Sequence, residues 1–297
     1  MQRTALAFAA MAIAAGFSAG TAQAPEPAVF TLDGVSSDQF ESHPAFDPLS
    51  GDLYFVRSTP RFQGWRIWRS RCRADGPAAP EPAPFSGEGV EADPFFTPDG
   101  RRLYFISSRP DPPAKTGDDF DIWMVERDAS GGWRRPARLP APVNSEGAEW
   151  FPRLDRRGRL YFGSDRPGGH GQTDIYVARP DGRRWRVENV GGEVSTGGDE
   201  YEFEPAQSGR FAVLMADGRL FRIEARGGRW GRRVPIATGA EAFHVGPLLS
   251  PSGRTLLFAR PVPPNSGELF RLALGDRSED WPPRCPPPLV TPGGDRP

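Results

Sequence analysis

Pro94-Phe95-Phe96-Thr97-Pro98-Asp99-Gly100-Arg101-Arg102-Leu103-Tyr104-Phe105 reads as a proline, a few residues, a Gly-containing turn and a short apolar strand. The same phrase recurs along the chain. It runs from Pro44-Ala45-Phe46 to Gly51-Asp52-Leu53-Tyr54-Phe55, and from Pro152-Arg153-Leu154 to Gly158-Arg159-Leu160-Tyr161-Phe162. Pro205 leads through Ser208-Gly209-Arg210 to Phe211-Ala212-Val213-Leu214, and Pro247-Leu248-Leu249 leads through Ser252-Gly253-Arg254 to Leu256-Leu257-Phe258. A period of this length, with four short strands per copy, is the signature of a β-propeller blade.

Each copy continues alike. A third strand is expected at Arg66-Ile67-Trp68, Asp121-Ile122-Trp123, Asp174-Ile175-Tyr176, Leu220-Phe221-Arg222 and Leu269-Phe270-Arg271. A turn and a tryptophan then open a fourth at Trp133, Trp185, Trp230 and Trp281. Such a sheet leaves both faces wet until it stacks on a neighbour, so the repeated aromatics read as inter-blade packing. The fold expected is all-β, a propeller of four-stranded antiparallel blades, five by repeat count. Either Val29-Phe30-Thr31-Leu32 or the Trp281 segment closes the last blade.

Composition narrows the functional classes. Hydrophobic residues make up 37% and charged residues 25% of 297, as in a globular protein. The formal charge is −1, with both signs scattered along the chain, which disfavours nucleic acid as a partner. Met1-Gln2-Arg3, the apolar run Ala5 to Phe17 and Ala22-Gln23-Ala24 together read as a signal peptide over residues 1–24. Export to the periplasm or medium is therefore expected, without membrane insertion. The propeller is expected over residues 25–281, followed by a Pro-rich tail, 282–297. Gly16-Phe17-Ser18-Ala19-Gly20 matches a hydrolase G-x-S-x-G, but it falls inside the removable leader and lacks the strand-turn-helix context.

The segment Phe96 to Arg109 with Asp121-Ile122-Trp123, and Leu160 to Gly169 with Asp174-Ile175-Tyr176, resembles the WD-like repeat of TolB-type propellers. The likeness spans roughly residues 40 to 275. Members of that family are usually six-bladed, so six blades is the alternative to the count of five. The resemblance implies an envelope scaffold that binds other proteins or envelope components, and implies no activity. The fourth repeat departs from the pattern by lacking the Ser-x-Arg segment.

Three residues before each repeat proline stand Glu41, Glu91, Glu149, Glu202 and His244. Equal offsets place them at equal positions on every blade, so they are read as a ring at the channel mouth that binds a cation, a basic peptide or a sugar. The bland reading is that each Glu pairs locally with an Arg. Arg57, Arg109, Arg166 and Arg260 follow the second strand in four repeats, and Asp121 and Asp174 open the third strand in two. These are read as loop ties through bidentate hydrogen bonds. His43, His170 and His244 are widely spaced, and no metal or cofactor is assigned. The reading is a non-enzymatic, monomeric binding scaffold. The alternative is a carbohydrate-active hydrolase or lyase using the acidic ring, although no residue is marked as catalytic.

Cys72 and Cys285 are the whole cysteine inventory. In an exported protein they are candidates for one disulfide, which a closed ring allows because the first and last blades are neighbours.

Overall fold

A computed structural model describes residues 26–285, except for 33, 111–118, 183, 264–265, 276–278 and 283–284. The expected signal peptide and nearly all of the expected tail lie outside the described residues. β1 (Ala28–Val29) comes first in the chain. The first unit contains β2 (Phe40–Phe46), β3 (Leu53–Ser58), β4 (Arg66–Ser70), a small hairpin of β5 (Cys72–Arg73) and β6 (Gly76–Pro77), and β7 (Glu81–Pro82). The second unit is β8 (Glu91–Phe96), β9 (Arg102–Ser107), β10 (Asp121–Glu126) and β11 (Ala137–Arg138). The third is β12 (Glu149–Leu154), β13 (Leu160–Ser164), β14 (Asp174–Asp181) and β15 (Arg184–Asn189). The fourth is β16 (Glu200–Pro205), β17 (Phe211–Ala216), β18 (Arg219–Arg226) and β19 (Arg229–Pro235). The fifth has β20 (Val245–Leu249), β21 (Thr255–Val262) and β22 (Ser266–Ala273). Its fourth strand is β1, paired antiparallel through Ala28 with Arg271 and Val29 with Phe270.

The molecule is an all-β propeller, with five four-stranded units among the described residues. The closing strand comes from the N-terminus, and the Trp281 segment forms no strand there. The first strand of each unit is the innermost, and the first and fifth units join edge to edge where Phe40 pairs in parallel with Gly267. A Cβ at Gly267 would lie 2.3 Å from the Phe40 ring, so only glycine admits this contact.

Apolar burial lies between units, as stacking requires. Tyr54, Ile67 and Phe85 of the first unit pack on Phe96, Phe105 and Trp123 of the second. Tyr161, Ile175 and Val177 of the third pack on Phe203, Leu214 and Ile223 of the fourth. Phe211, Val213 and Leu220 of the fourth pack on Leu256, Phe258 and Phe270 of the fifth. The seam between fifth and first has a smaller cluster of Phe40, Val245, Ala259 and Leu269. Cys72 and Cys285 are disulfide-bonded, with Cα atoms 5.1 Å apart, within the usual span of about 4.4–6.8 Å. The Trp281 ring meets Phe46 of the first unit, while Arg271 of the fifth unit donates to the Trp281 and Glu279 carbonyls. The chain end thus bridges the seam.

Candidate functional site

Every inner strand carries a register shift near its middle, between Ser42 and Ala45, Ala92 and Phe95, Trp150 and Arg153, Glu200 and Glu202, and Val245 and Leu248. A bulge of this kind re-aims the side chains on either side of it. The carboxylates just before the bulge turn into the protein. Glu41 bonds Arg57 at 2.8 Å, Glu149 bonds Arg166 at 2.9 Å, and Glu91 pairs with Arg109. Each arginine also donates to a carbonyl of the loop leading into its unit, at Val35, Val143 and Phe85 respectively. The guanidinium lies over aromatic rings, with Arg57 over Phe55 and Trp68, Arg109 over Phe105 and Trp123, and Arg166 over Phe162 and Tyr176. These groups tie loops to strands.

In the fourth unit this place belongs to Glu200 and not to Glu202. Thr196 donates to Glu200 as Ser145 does to Glu149 and Ser37 to Glu41. Backbone bonds agree: the amides of Glu91, Glu149, Glu200 and His244 each donate to the preceding unit, at Trp65, Phe120, Thr173 and Gly218. The fixed offset from the proline selects Glu202 because the fourth repeat has two more residues between carboxylate and proline than the third. The missing Ser-x-Arg arginine is replaced by Arg233 on β19, which bonds Glu200 at 2.6 Å and the Glu193 and Val194 carbonyls. In the fifth unit, Arg260 donates to the Thr238 carbonyl and lies 3.9 Å from the Phe270 ring centre. His244 is buried with Nδ1 3.3 Å from the Gly218 carbonyl, and burial lowers its pKa.

Side chains that do converge come from the bulges themselves. His43 Nε2 lies 3.0 Å from Glu202 Oε1 and 3.2 Å from Asp93 Oδ1. The second oxygen of Asp93 accepts the Phe151 amide at 2.8 Å, and that of Glu202 accepts the Gly246 amide at 2.9 Å. One web therefore joins all five inner strands. His43, Asp93 and Phe151 hold φ values of 48°, 59° and 49°, a left-handed conformation that costs a side-chain-bearing residue energy. The web supplies the compensating bonds. Burial alone would lower the His43 pKa, but Asp93 and Glu202 outweigh it and raise the value above that of an ordinary histidine. Burial raises the Glu202 pKa as well. Further along the channel, fully buried Arg153 bonds Glu204 at 2.8 Å, and burial pushes Glu204 up to about 7.

Above this floor opens a cavity of about 300 Å³, lined by residues of every unit. One side is aromatic. Ring contacts run from Phe243 to Phe62, from Phe62 to Trp65 and from Trp65 to Trp150, with Phe120 wedged against both tryptophans. The Trp65 indole donates to the Phe62 carbonyl at 2.8 Å and braces Phe62 at φ 58°. The other side carries Asp165, Thr173, Asp199, Tyr201 and Glu202. Of the expected ring, Glu202 alone lines this cavity. Sequence offsets pointed two residues too early elsewhere, because they carry no record of where the bulge turns the chain. His170 is exposed, and among the described residues no cluster of His, Cys, Asp and Glu is arranged to hold a metal.

The fold is that of a TolB-like β-propeller. It is similar to TolB from Acinetobacter baumannii, with a TM-score of 0.51 and 17% identity over 81% of this chain and 56% of that one. It is similar also to a putative TolB from Agrobacterium tumefaciens, with a TM-score of 0.50 and 17% identity over 76% of this chain and 72% of that one. This chain thus spans little more than half the length of the Acinetobacter protein. No family model matches the sequence, and no curated protein is significantly similar to it.

Proposed function

We propose that this protein is an exported, non-enzymatic binding module that takes a protein or another envelope component into the cavity at the mouth of its central channel. The observation that carries this reading is the convergence of all five units on one aromatic-walled cavity, in the size range of ligand sites. The disulfide supports an oxidising compartment. Against chemistry at the floor stands its bonding. Glycoside hydrolysis needs two carboxylates flanking the scissile bond. Here His43 sits between Asp93 and Glu202, and each carboxylate also serves a backbone amide. Those groups are committed to holding the ring together.

Trp65 and Trp150 provide the readout. Titration with a panel of envelope glycans and peptides should give a saturable change in tryptophan fluorescence, lost in Trp150→Ala, with every ligand recovered intact. Release of cleaved product would replace the binding reading with that of a hydrolase or lyase.

A further inference from the structure

The ligand side of the cavity has a marked polarity. Its lining includes four carboxylates, Asp93, Asp165, Asp199 and Glu202, while His43 is the one basic side chain, already held between two of them. Asp165 and Asp199 have no ion pair with any described residue, nor does Asp217, whose carboxylate accepts the Asp199 amide at 3.1 Å. Asp199 therefore stands beside like charge with no counter-ion. Burial, together with Asp217 and Glu200, raises its pKa, the response of a carboxylate in a site short of positive charge.

Facing these carboxylates is the arc of Phe243, Phe62, Trp65 and Trp150. Aromatic faces attract organic cations, and they do so most when the cation is partly removed from water. Asp165 accepts the Ala148 amide at 2.7 Å and Asp199 a hydrogen bond from Thr173, but neither has an ion pair, and an aromatic wall opposite such carboxylates suits a positive head carried on an apolar stem. The cavity of about 300 Å³ has room for one such group.

The rest of that end of the molecule agrees. Loops alternate between the two ends of a propeller as the strands run up and down. Those at the mouth carry the exposed Asp38, Glu88, Glu146, Asp165 and Asp217, with exposed Arg61 among them. Loops at the far end carry Arg101, Arg135, Arg156 and Arg157, with Arg229 at the start of β19 beside them, alongside turn aspartates such as Asp99 and Asp128. A field with this direction draws cations toward the mouth.

We propose, building on the binding reading above, that the cavity recognises an organic cation, an ammonium or guanidinium group on an apolar stem, seated between the Trp65–Trp150 wall and the Asp165–Asp199 side. A basic side chain of a peptide and a small free organic cation share that chemistry.

The test is a tryptophan-fluorescence and calorimetric titration with three probes: a capped Gly-Arg-Gly peptide, its uncharged citrulline counterpart, and choline. The expected result is at least tenfold tighter binding of the arginine peptide than of the citrulline peptide. That preference should fall to less than threefold in the Asp165→Asn/Asp199→Asn double variant and in Asp199→Asn alone, each checked for an unchanged melting curve. Choline binding as tightly as the peptide assigns the site to small free organic cations, and weaker choline binding assigns it to peptide side chains. Equal binding of charged and uncharged peptides overturns the proposal, as does silence of both cations. If a neutral glycan then saturates the same signal and Trp150→Ala abolishes it, the cation fails while the binding reading stands. If nothing binds, both fall.

Discussion

Gly246 and Gly158 both adopt positive φ, 64° and 71°, yet they occupy unlike surroundings. A Cβ on Gly246 would lie 2.6 Å from the His43 amide nitrogen and 2.7 Å from its Cα, both backbone atoms that cannot rotate away. A Cβ on Gly158 would meet nothing within 4 Å. Gly158→Ala should therefore cost only the left-handed strain, roughly 1–2 kcal/mol. Gly246→Ala adds overpacking at the channel floor and should cost at least about 2 kcal/mol more, read as a larger loss in chemical denaturation. His43 itself gives a pH signature. Its folded pKa is raised, so its contribution is complete below the unfolded value of about 6.5 and is lost as pH climbs through the folded one. Glu204, raised to about 7, acts in the same direction. The thermal midpoint should be higher at pH 6 than at pH 8.5, and a profile rising over that interval would contradict the floor web.

At the scale of the element, the repeated device is an arginine that clamps a buried glutamate to the loop entering its unit. Three units draw it from the end of the second strand, and the fourth draws Arg233 from its outer strand. Identical geometry reached from different positions indicates that the clamp, and not the motif, is what the unit needs. Glu200 is fully buried, so Arg233→Met would strand its charge and should cost on the order of 3–5 kcal/mol. The double variant Glu200→Gln/Arg233→Met removes both charges and should recover a good part of that loss. Equal stability of the two variants would mean the pair contributes nothing specific.

For the whole molecule the weak place is the seam between fifth and first units, where the apolar cluster is small and the ring is closed by two-residue β1. The disulfide spans 213 residues of sequence and ties the chain end to the first unit. By loop entropy such a crosslink stabilises by about 5 kcal/mol, less any strain. Reduction, or Cys285→Ser, should lower the thermal midpoint markedly, and protection from amide exchange should fall first in β1 and β22. Uniform loss across all five units would instead place the weak point elsewhere. Charge also acts at this scale. The scattered signs of the linear sequence become an acidic mouth and an arginine-rich far end, because consecutive loops fall at alternate ends.

The sequence by itself determined the repeat, the four-stranded unit and the aromatic packing between units, since strand period and turn chemistry are local properties that recur in register, and it made the two cysteines candidates for a bridge that only ring closure brings together. It contained the glutamate clamp too, and a Ser or Thr four residues ahead would have located Glu200 as it does Glu41 and Glu149. What only the tertiary structure decided was the site. His43 and Asp93 look like ordinary strand residues until a bulge turns them toward an axis where residues as distant as 43 and 202 meet. Trp65 and Trp150 look like packing residues until ring closure leaves their faces bordering a cavity. Convergence on a common axis depends on closing the ring, and no spacing along a single strand records it.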